Sequence, residues 1–229
     1  MRRITKVIPI RLPLSNCFLV LGEKNFLVDS GFPGDENAIV DAIHKAGLTP
    51  YDITCIVHTH GHIDHCGSSA YLMQKYNIPS AIHHLDEKMV MTGHNDNVRP
   101  ARFSGYVIKY LIGKRFPPFF PDYLLEHEGP LIQLGINASL LHTPGHTMGS
   151  SSIILDNNEA IVGDVFMGGH IGGLFMSAEP RYHYFVKDRG SLHMSIQKLL
   201  DTGVQKFYLG HGGPVSRLSL QLWFDGVQK

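Results

Sequence analysis

The sequence predicts a layered α/β fold. Three observations carry that expectation. Short apolar, β-branched runs are bounded by Gly, Pro and Asp. Segments with a helical period are set between them. The composition is 43% apolar and 17% charged, with 24 Gly and 13 Pro among 229 residues, as in a globular chain rich in turns and long enough to bury a sizeable core. A single domain over residues 1–229 is expected, because no linker or low-complexity segment divides the chain.

Residues 4–12, 16–21 and 25–29 read as strands separated by Pro13 and by Gly22-Glu23. Gly34-Asp35 opens a helix through Lys45, with Ile39, Val40 and Ile43 on one face and Gly47 at its C-cap. Residues 52–57 form a continuous apolar strand of the kind buried on both faces. A helix over 64–76 and a short strand over 78–82 follow. The resulting order, β-β-β-α-β-α-β, stacks sheet and helices in layers.

Residues 86–128 change character. Phe103, Tyr106, Val107, Tyr110 and Leu111 fall at helical spacing, and Phe116-Pro117-Pro118-Phe119-Phe120-Pro121 cannot continue a helix. This amphipathic helix and aromatic loop read as well as a lid or substrate wall as they do as core packing or a dimer contact. Strands are then expected at 131–134, 138–142, 151–155 and 160–162. A mobile loop over 166–189, a helix over 191–200 and a strand over 206–209 complete the chain. The stretches at about 86–128 and 166–189 are treated as lid-like inserts.

Lys plus Arg and Asp plus Glu both number 20, so the formal charge is zero. That balance gives no support to a nucleic-acid or membrane-surface binder. Cys17, Cys55 and Cys66 are odd in number, widely spaced and without a CxxC, which argues against a disulfide framework or a zinc-thiolate site. Reduced thiols in a cytoplasmic protein are expected, with neither a signal peptide nor a membrane span.

The chemistry concentrates in Val57-His58-Thr59-His60-Gly61-His62-Ile63-Asp64-His65, which holds four histidines and one aspartate in nine residues. It follows the strand over 52–57, at the end where ligands bind in open α/β sheets. Residues two apart in an extended segment point the same way, so His60 and His62 can chelate one metal. The turn into a helix re-aims Asp64 and His65 toward a second. His146, Asp164 and His211 each end a predicted strand beside glycine, which lets the backbone turn sharply. Two metals roughly 3.5–4 Å apart suit a bridging carboxylate.

His60-Gly61-His62-Ile63-Asp64-His65 resembles the HxHxDH signature of the metallo-β-lactamase fold superfamily. The resemblance extends through Asp29-Ser30-Gly31, Thr143-Pro144-Gly145-His146, Gly163-Asp164 and Gly210-His211-Gly212, in the expected order. It implies a four-layered αββα sandwich with the metals at one edge of two sheets. It implies that His60, His62 and His146 bind the first metal, that Asp64, His65 and His211 bind the second, and that Asp164 bridges. Asp29 resembles the buried aspartate that braces the metal loop. His58, His142 and Cys66 are read as structural.

Two divalent metals, Zn first with Fe or Mn as alternatives, imply a bridging hydroxide that attacks an ester, lactone or thioester carbonyl of a small molecule. Asp64 is the candidate proton shuttle and catalytic residue. The bridging aspartate resembles the glyoxalase II and lactonase branch. Only 18 residues follow His211, which puts glutathione thioesters in doubt. Lactonases carry a tyrosine three residues after the bridging aspartate, where Met167 stands here; Tyr182 or Tyr184 are candidates to replace it. The alternatives are an iron redox enzyme with a flavin partner and a non-catalytic metal-binding protein.

Overall fold

The computed structural model describes residues 5–96, 100, 105 and 115–228. The helix expected over 103–111 lies outside the described residues, apart from Gly105, which is helical.

Strands β1 (Lys6–Arg11), β2 (Asn16–Leu21), β3 (Asn25–Val28), β4 (Ile53–Val57), β5 (Ser80–His83) and β6 (Tyr123–Leu125) form one sheet in that order. The first three pair antiparallel, and β3 to β6 run parallel. The second sheet is built from β7 (Gly129–Pro130), β8 (Ala138–His142), β9 (Ser151–Leu155), β10 (Glu159–Ile161), β13 (Lys206–Tyr208) and β14 (Val215–Ser216), adjacent in that order. Its β10–β13 pair is parallel and the others antiparallel. Strands β11 (Met167–His170) and β12 (Phe175–Arg181) form a separate hairpin.

Alternation along the strands sorts side chains into layers. In β2 and β3, Phe18, Val20, Phe26 and Val28 meet Leu140, Ile153, Ile161 and Tyr208 between the sheets. The intervening Leu19 and Leu27 face outward against Ile39 and Ile43 of α1 (Glu36–Lys45) and Leu72 of α3 (Ser69–Tyr76). On the far side, Ala160 and Phe207 pack under α5 (Arg189–Asp201) and α6 (Arg217–Val227) through Leu192, Ile196, Leu220 and Phe224. The layers are therefore helix, sheet, sheet and helix, the αββα sandwich that the sequence implied. Each fully buried Val, Leu, Ile or Phe among them contributes about 1.5–3 kcal/mol. The helix caps agree with their sequences: Asp188 accepts from the Gly190 and Ser191 amides, and Ser216 from the Ser219 amide.

Three local expectations need correction. The helix over 64–76 is two helices, α2 (Ile63–Cys66) and α3, because the Gly67 N–H donates to the Gly31 carbonyl (2.8 Å) instead of continuing the ladder. A Cβ at Gly67 would stand 2.3 Å from Pro33 Cδ. Residues 131–134 are not a strand. Ile132–Leu134 is a 3₁₀ turn that sends Leu131 and Leu134 into the inter-sheet core. The loop expected over 166–189 contains the β11–β12 hairpin. In the aromatic loop the core-packing alternative holds for Phe116 and Phe119, packed with Ile63, Cys66, Ile82 and Val90, the last from α4 (Glu87–Thr92); of its three phenylalanines Phe120 is the exposed one. Helix α6 had no counterpart in the sequence reading.

Candidate metal centre

Four loops meet at one edge of the two sheets. Each leaves the C-terminal end of a strand: His58 to His62 follow β4, His146 follows β8, Asp164 follows β10 and His211 follows β13. All seven residues singled out in the sequence lie here. Donor atoms of His60, His62 and His146 fall within 4.8 Å of one another, as do those of Asp64, His65 and His211. The Asp164 carboxylate stands between the two groups. Its Oδ2 is 3.9 Å from His60 Nε2, 3.5 Å from His65 Nε2, 3.5 Å from His146 Nε2 and 3.3 Å from His211 Nε2.

The loops are held by hydrogen bonds that the histidines do not make among themselves. Asp29 is fully buried, with φ at 62°, a conformation that aspartate tolerates better than most residues. Its Oδ1 accepts from the Thr59 amide (2.7 Å), and its Oδ2 from the Thr59 hydroxyl (2.8 Å) and His65 Nδ1 (2.8 Å). Thr59 Oγ1 in turn accepts from His60 Nδ1 (3.1 Å). Asp86, also buried, ties two loops together. It accepts from the Gly61 amide (3.0 Å), the Gly149 amide (2.9 Å) and the Thr147 hydroxyl (2.6 Å). His62 Nε2 faces Asp96 Oδ1 at 3.2 Å, and Lys187 holds the other oxygen at 2.6 Å.

These partners decide which nitrogen each ring offers. With Nδ1 engaged, His60 and His65 turn Nε2 toward the centre; His146 does the same through its Nδ1–H to the Phe185 carbonyl (2.9 Å). His62 is reversed, so its Nδ1 faces the centre, 2.9 Å from His146 Nε2. Among the described residues, the buried Nε2 atoms of His60, His65 and His211 and Oδ1 of Asp164 have no hydrogen-bond partner. Buried polar atoms are seldom left so, and this donor set of imidazoles and carboxylates suits a divalent metal. The space is also shaped for it: a Cβ at Gly210 would stand 2.2 Å from Asp164 Oδ1 and 2.5 Å from His65 Cε1.

Electrostatics divide the histidines. Burial and the surrounding imidazoles hold His60 and His146 well below their ordinary pKa. Burial acts the same way on His65 and His211 but is outweighed by carboxylates. Asp164, Asp29 and Asp64 raise His65 well above its usual range, and Asp164 and Asp64 bring His211 up to about 10. The metal-free protein thus carries protons on His65 and His211 at neutral pH. A ligating imidazole must be neutral, so if both rings ligate, loading a divalent metal releases on the order of two protons per chain, and apparent affinity rises with pH above neutrality. Titrating zinc into metal-free protein in dilute buffer with a pH indicator measures this; loading without proton release contradicts it.

Two other histidines behave as structural groups. His58 is buried against Ser69 Oγ (3.1 Å), and His142 stacks on His83 at 4.2 Å. Cys66 donates to the His60 carbonyl (3.1 Å). Neither tyrosine candidate directs its hydroxyl into the centre. Tyr182 pairs with His193 (2.6 Å), and the Tyr184 hydroxyl accepts from the Gly172 amide (3.2 Å). The residue between them does reach it: His183 Nε2 lies 3.2 Å from Asp164 Oδ2. Sequence reasoning missed His183, Asp86 and Asp96. Alternation along 182–184 was the available signal for His183, since it sets that ring opposite both tyrosines.

Residues 10–175 match the profile of the Metallo-beta-lactamase superfamily. The chain belongs to the metallo-β-lactamase superfamily. Among its relatives, the probable metallo-hydrolase MJ0888 of Methanocaldococcus jannaschii is 31% identical over 199 residues, covering 86% of this chain and 87% of its own. The hydroxyacylglutathione hydrolase GloC of Haemophilus influenzae is 28% identical, covering 73% and 74%. The solved structure of TTHA1623 in a di-iron-bound form superposes with a TM-score of 0.67 at 24% identity, covering 93% and 96%. The superfamily assignment agrees with the expectation of a metal-dependent hydrolase. Among the described residues, no helix is long and apolar enough to cross a membrane.

Proposed function

We propose that the protein hydrolyses an ester, lactone or thioester bond in a small molecule at a dinuclear centre of two divalent metals, preferably zinc. His60, His62 and His146 hold one metal, Asp64, His65 and His211 the other, and Asp164 both. The observation that carries this reading is the convergence of both three-residue groups on one buried carboxylate oxygen, with histidine Nε2 atoms aimed at the same space. Two bound metals would supply Lewis acidity and lower the pKa of water to about 7.

The chain's own residues then position and protect the chemistry. Asp64 is less buried than Asp164, with 16% side-chain exposure against 2%. Burial raises its carboxyl, but His65 and His211 outweigh that and hold it below the usual range. An ionised carboxylate at the open side of the centre is suited to accept a proton and pass it to a leaving group. Asp96 and Lys187 keep His62 in the tautomer that offers Nδ1.

The two inserts supply the substrate wall. Pro100 pairs with Phe185, a Cβ at Gly105 would touch the Tyr184 carbonyl, and the hairpin turn at Gly173 abuts Gly212. The hairpin presents Ile171, Leu174, Phe175 and Met176 to solvent, an apolar edge suited to an acyl chain. Cys17, Cys55 and Cys66 are free and buried, which supports a reducing, cytoplasmic setting.

The zinc-loaded protein, screened on aryl esters, lactones and acyl thioesters, tests the reading. Acyl glutathione belongs in that screen because of the GloC relative. Turnover of at least one class, lost on chelation and restored by zinc, is expected. A fully loaded protein that turns over none contradicts it. Iron with an optical band in protein from the native host would favour the redox alternative.

A further inference from the structure

His183 stands outside the seven residues of the sequence pattern, yet its ring is buried inside the centre. It lies edge-on to His146 (4.5 Å, 86°) and tilted on His211 (5.2 Å, 33°). Its Nε2 is 3.2 Å from Asp164 Oδ2, a close approach without the alignment of an N–H···O bond. The Nε2 atoms of His60, His65, His146 and His211 face the same oxygen at 3.9, 3.5, 3.5 and 3.3 Å. His183 therefore stands to Asp164 as the proposed ligands do.

That spacing has a physical meaning. Two donors, each about 2.0–2.2 Å from one metal and set at roughly 90–110°, are about 2.8–3.6 Å apart. His183 and His146, at 3.2 and 3.5 Å from Oδ2, both fall in that range. The donor atoms of His146, Asp164 and His183 all lie within 4.8 Å of one another, so one metal can sit among the three.

The backbone of Phe185 prepares both rings for it. Its carbonyl accepts from His146 Nδ1 (2.9 Å) and stands 3.3 Å from His183 Nδ1, placed to accept from it too. A carbonyl oxygen has two lone pairs, so one group serves both rings. The Phe185 amide also faces His183 Nδ1, at 3.2 Å. That nitrogen thus has a backbone partner in either tautomer. A metal at Nε2 selects the tautomer with the proton on Nδ1, the one that His146 holds.

We propose that His183 is a metal ligand of the centre, binding through Nε2 the same metal as His146 and Asp164. This rests on the metal centre of the proposed function and adds a protein donor to the group of His60, His62 and His146. Ligation also ties the substrate wall to the metal, because Phe185, two residues on, pairs with Pro100.

The test uses full-length protein loaded with cobalt(II), wild type beside His183→Ala. In the proton NMR spectrum of a cobalt protein, the ring N–H of each ligating imidazole gives a strongly shifted resonance that exchanges with solvent. His183→Ala should lose one such resonance. It should also change the visible cobalt band and bind cobalt about 100-fold or more weakly in chelator competition, beyond the usual loss for outer partners. His183→Phe keeps ring volume without a donor atom and repeats the test should the alanine variant fold poorly. Unchanged resonances overturn the proposal, whether affinity is unchanged or weakened; the weakened case makes His183 a positioning residue. Metal counts on the same samples read the proposed dinuclear centre separately, at about two ions per chain. A wild type that binds no cobalt overturns both.

Discussion

Asp164→Ala lowers kcat/KM of the zinc-supplied protein, on whichever ester, lactone or thioester it turns over best, by roughly 10³-fold or more. That corresponds to about 4 kcal/mol of transition-state stabilisation. The size follows from position. Removing a residue that only orients a ligand costs about 10–100-fold. Among the described residues, Asp164 is the one carboxylate that faces both three-residue groups, and its Oδ2 has five imidazoles within 3.2–3.9 Å. The variant should still fold, because Asp164 belongs to none of the four apolar clusters. A wild-type circular dichroism spectrum with lost activity is the expected pair of results. Activity within tenfold of wild type would mean that the carboxylate is not shared between metals.

Gly210→Ala removes metal binding while leaving every proposed ligand in the sequence. Its Cβ would lie 2.2 Å from Asp164 Oδ1 and 2.5 Å from His65 Cε1. One side chain from each side of the centre must move to make room. The backbone at Gly210 is itself fixed, by its N–H to the Gly163 carbonyl (2.9 Å) and by the Asn16 amide on its carbonyl (2.7 Å). The displacement therefore falls on Asp164 and His65. Metal affinity should drop more than about 100-fold, beyond the usual loss for outer partners, with roughly 1–3 kcal/mol of overpacking cost to stability. Chelator competition and a thermal melt measure the two effects. Wild-type affinity would show that the loop yields elsewhere.

The sequence made some parts of this molecule legible and hid others for physical reasons. The apolar runs of β1 to β4 and the amphipathic pattern of α1 identify the first sheet and one outer layer, because alternation and helical period are properties of the chain itself. The density of His60, His62, Asp64 and His65 marks the centre for the same reason. The run Leu131 to Leu134 is different. Four apolar residues fit a strand or a buried turn equally, and only the pairing of Gly129 and Pro130 with β8 settles it. The break between α2 and α3 depends on Gly31, far from Gly67 in sequence. The stretch 166–189 carries the turn signals of a loop, yet Met167 and Gly168 find partners in Arg181 and Pro180.

Site residues divide the same way. The seven proposed ligands lie in motifs that can be read locally. Asp86, Asp96 and His183 lie in none, and their roles come from what the fold brings to them: the Gly61 and Gly149 amides, His62, and the Asp164 carboxylate. A residue that orients another, or that reaches the centre from a loop of its own, has no spacing rule to obey, so it is visible only once the loops are placed.

The most direct measurement is the metal count of the protein itself. Purified protein loaded with excess zinc and desalted, analysed by plasma emission against a quantitative amino-acid assay, should hold about two metal ions per chain. The Asp164→Ala variant, treated identically, should hold about one or fewer. A wild-type count of one, or a variant that keeps two, would contradict a centre in which a single buried aspartate joins two metals.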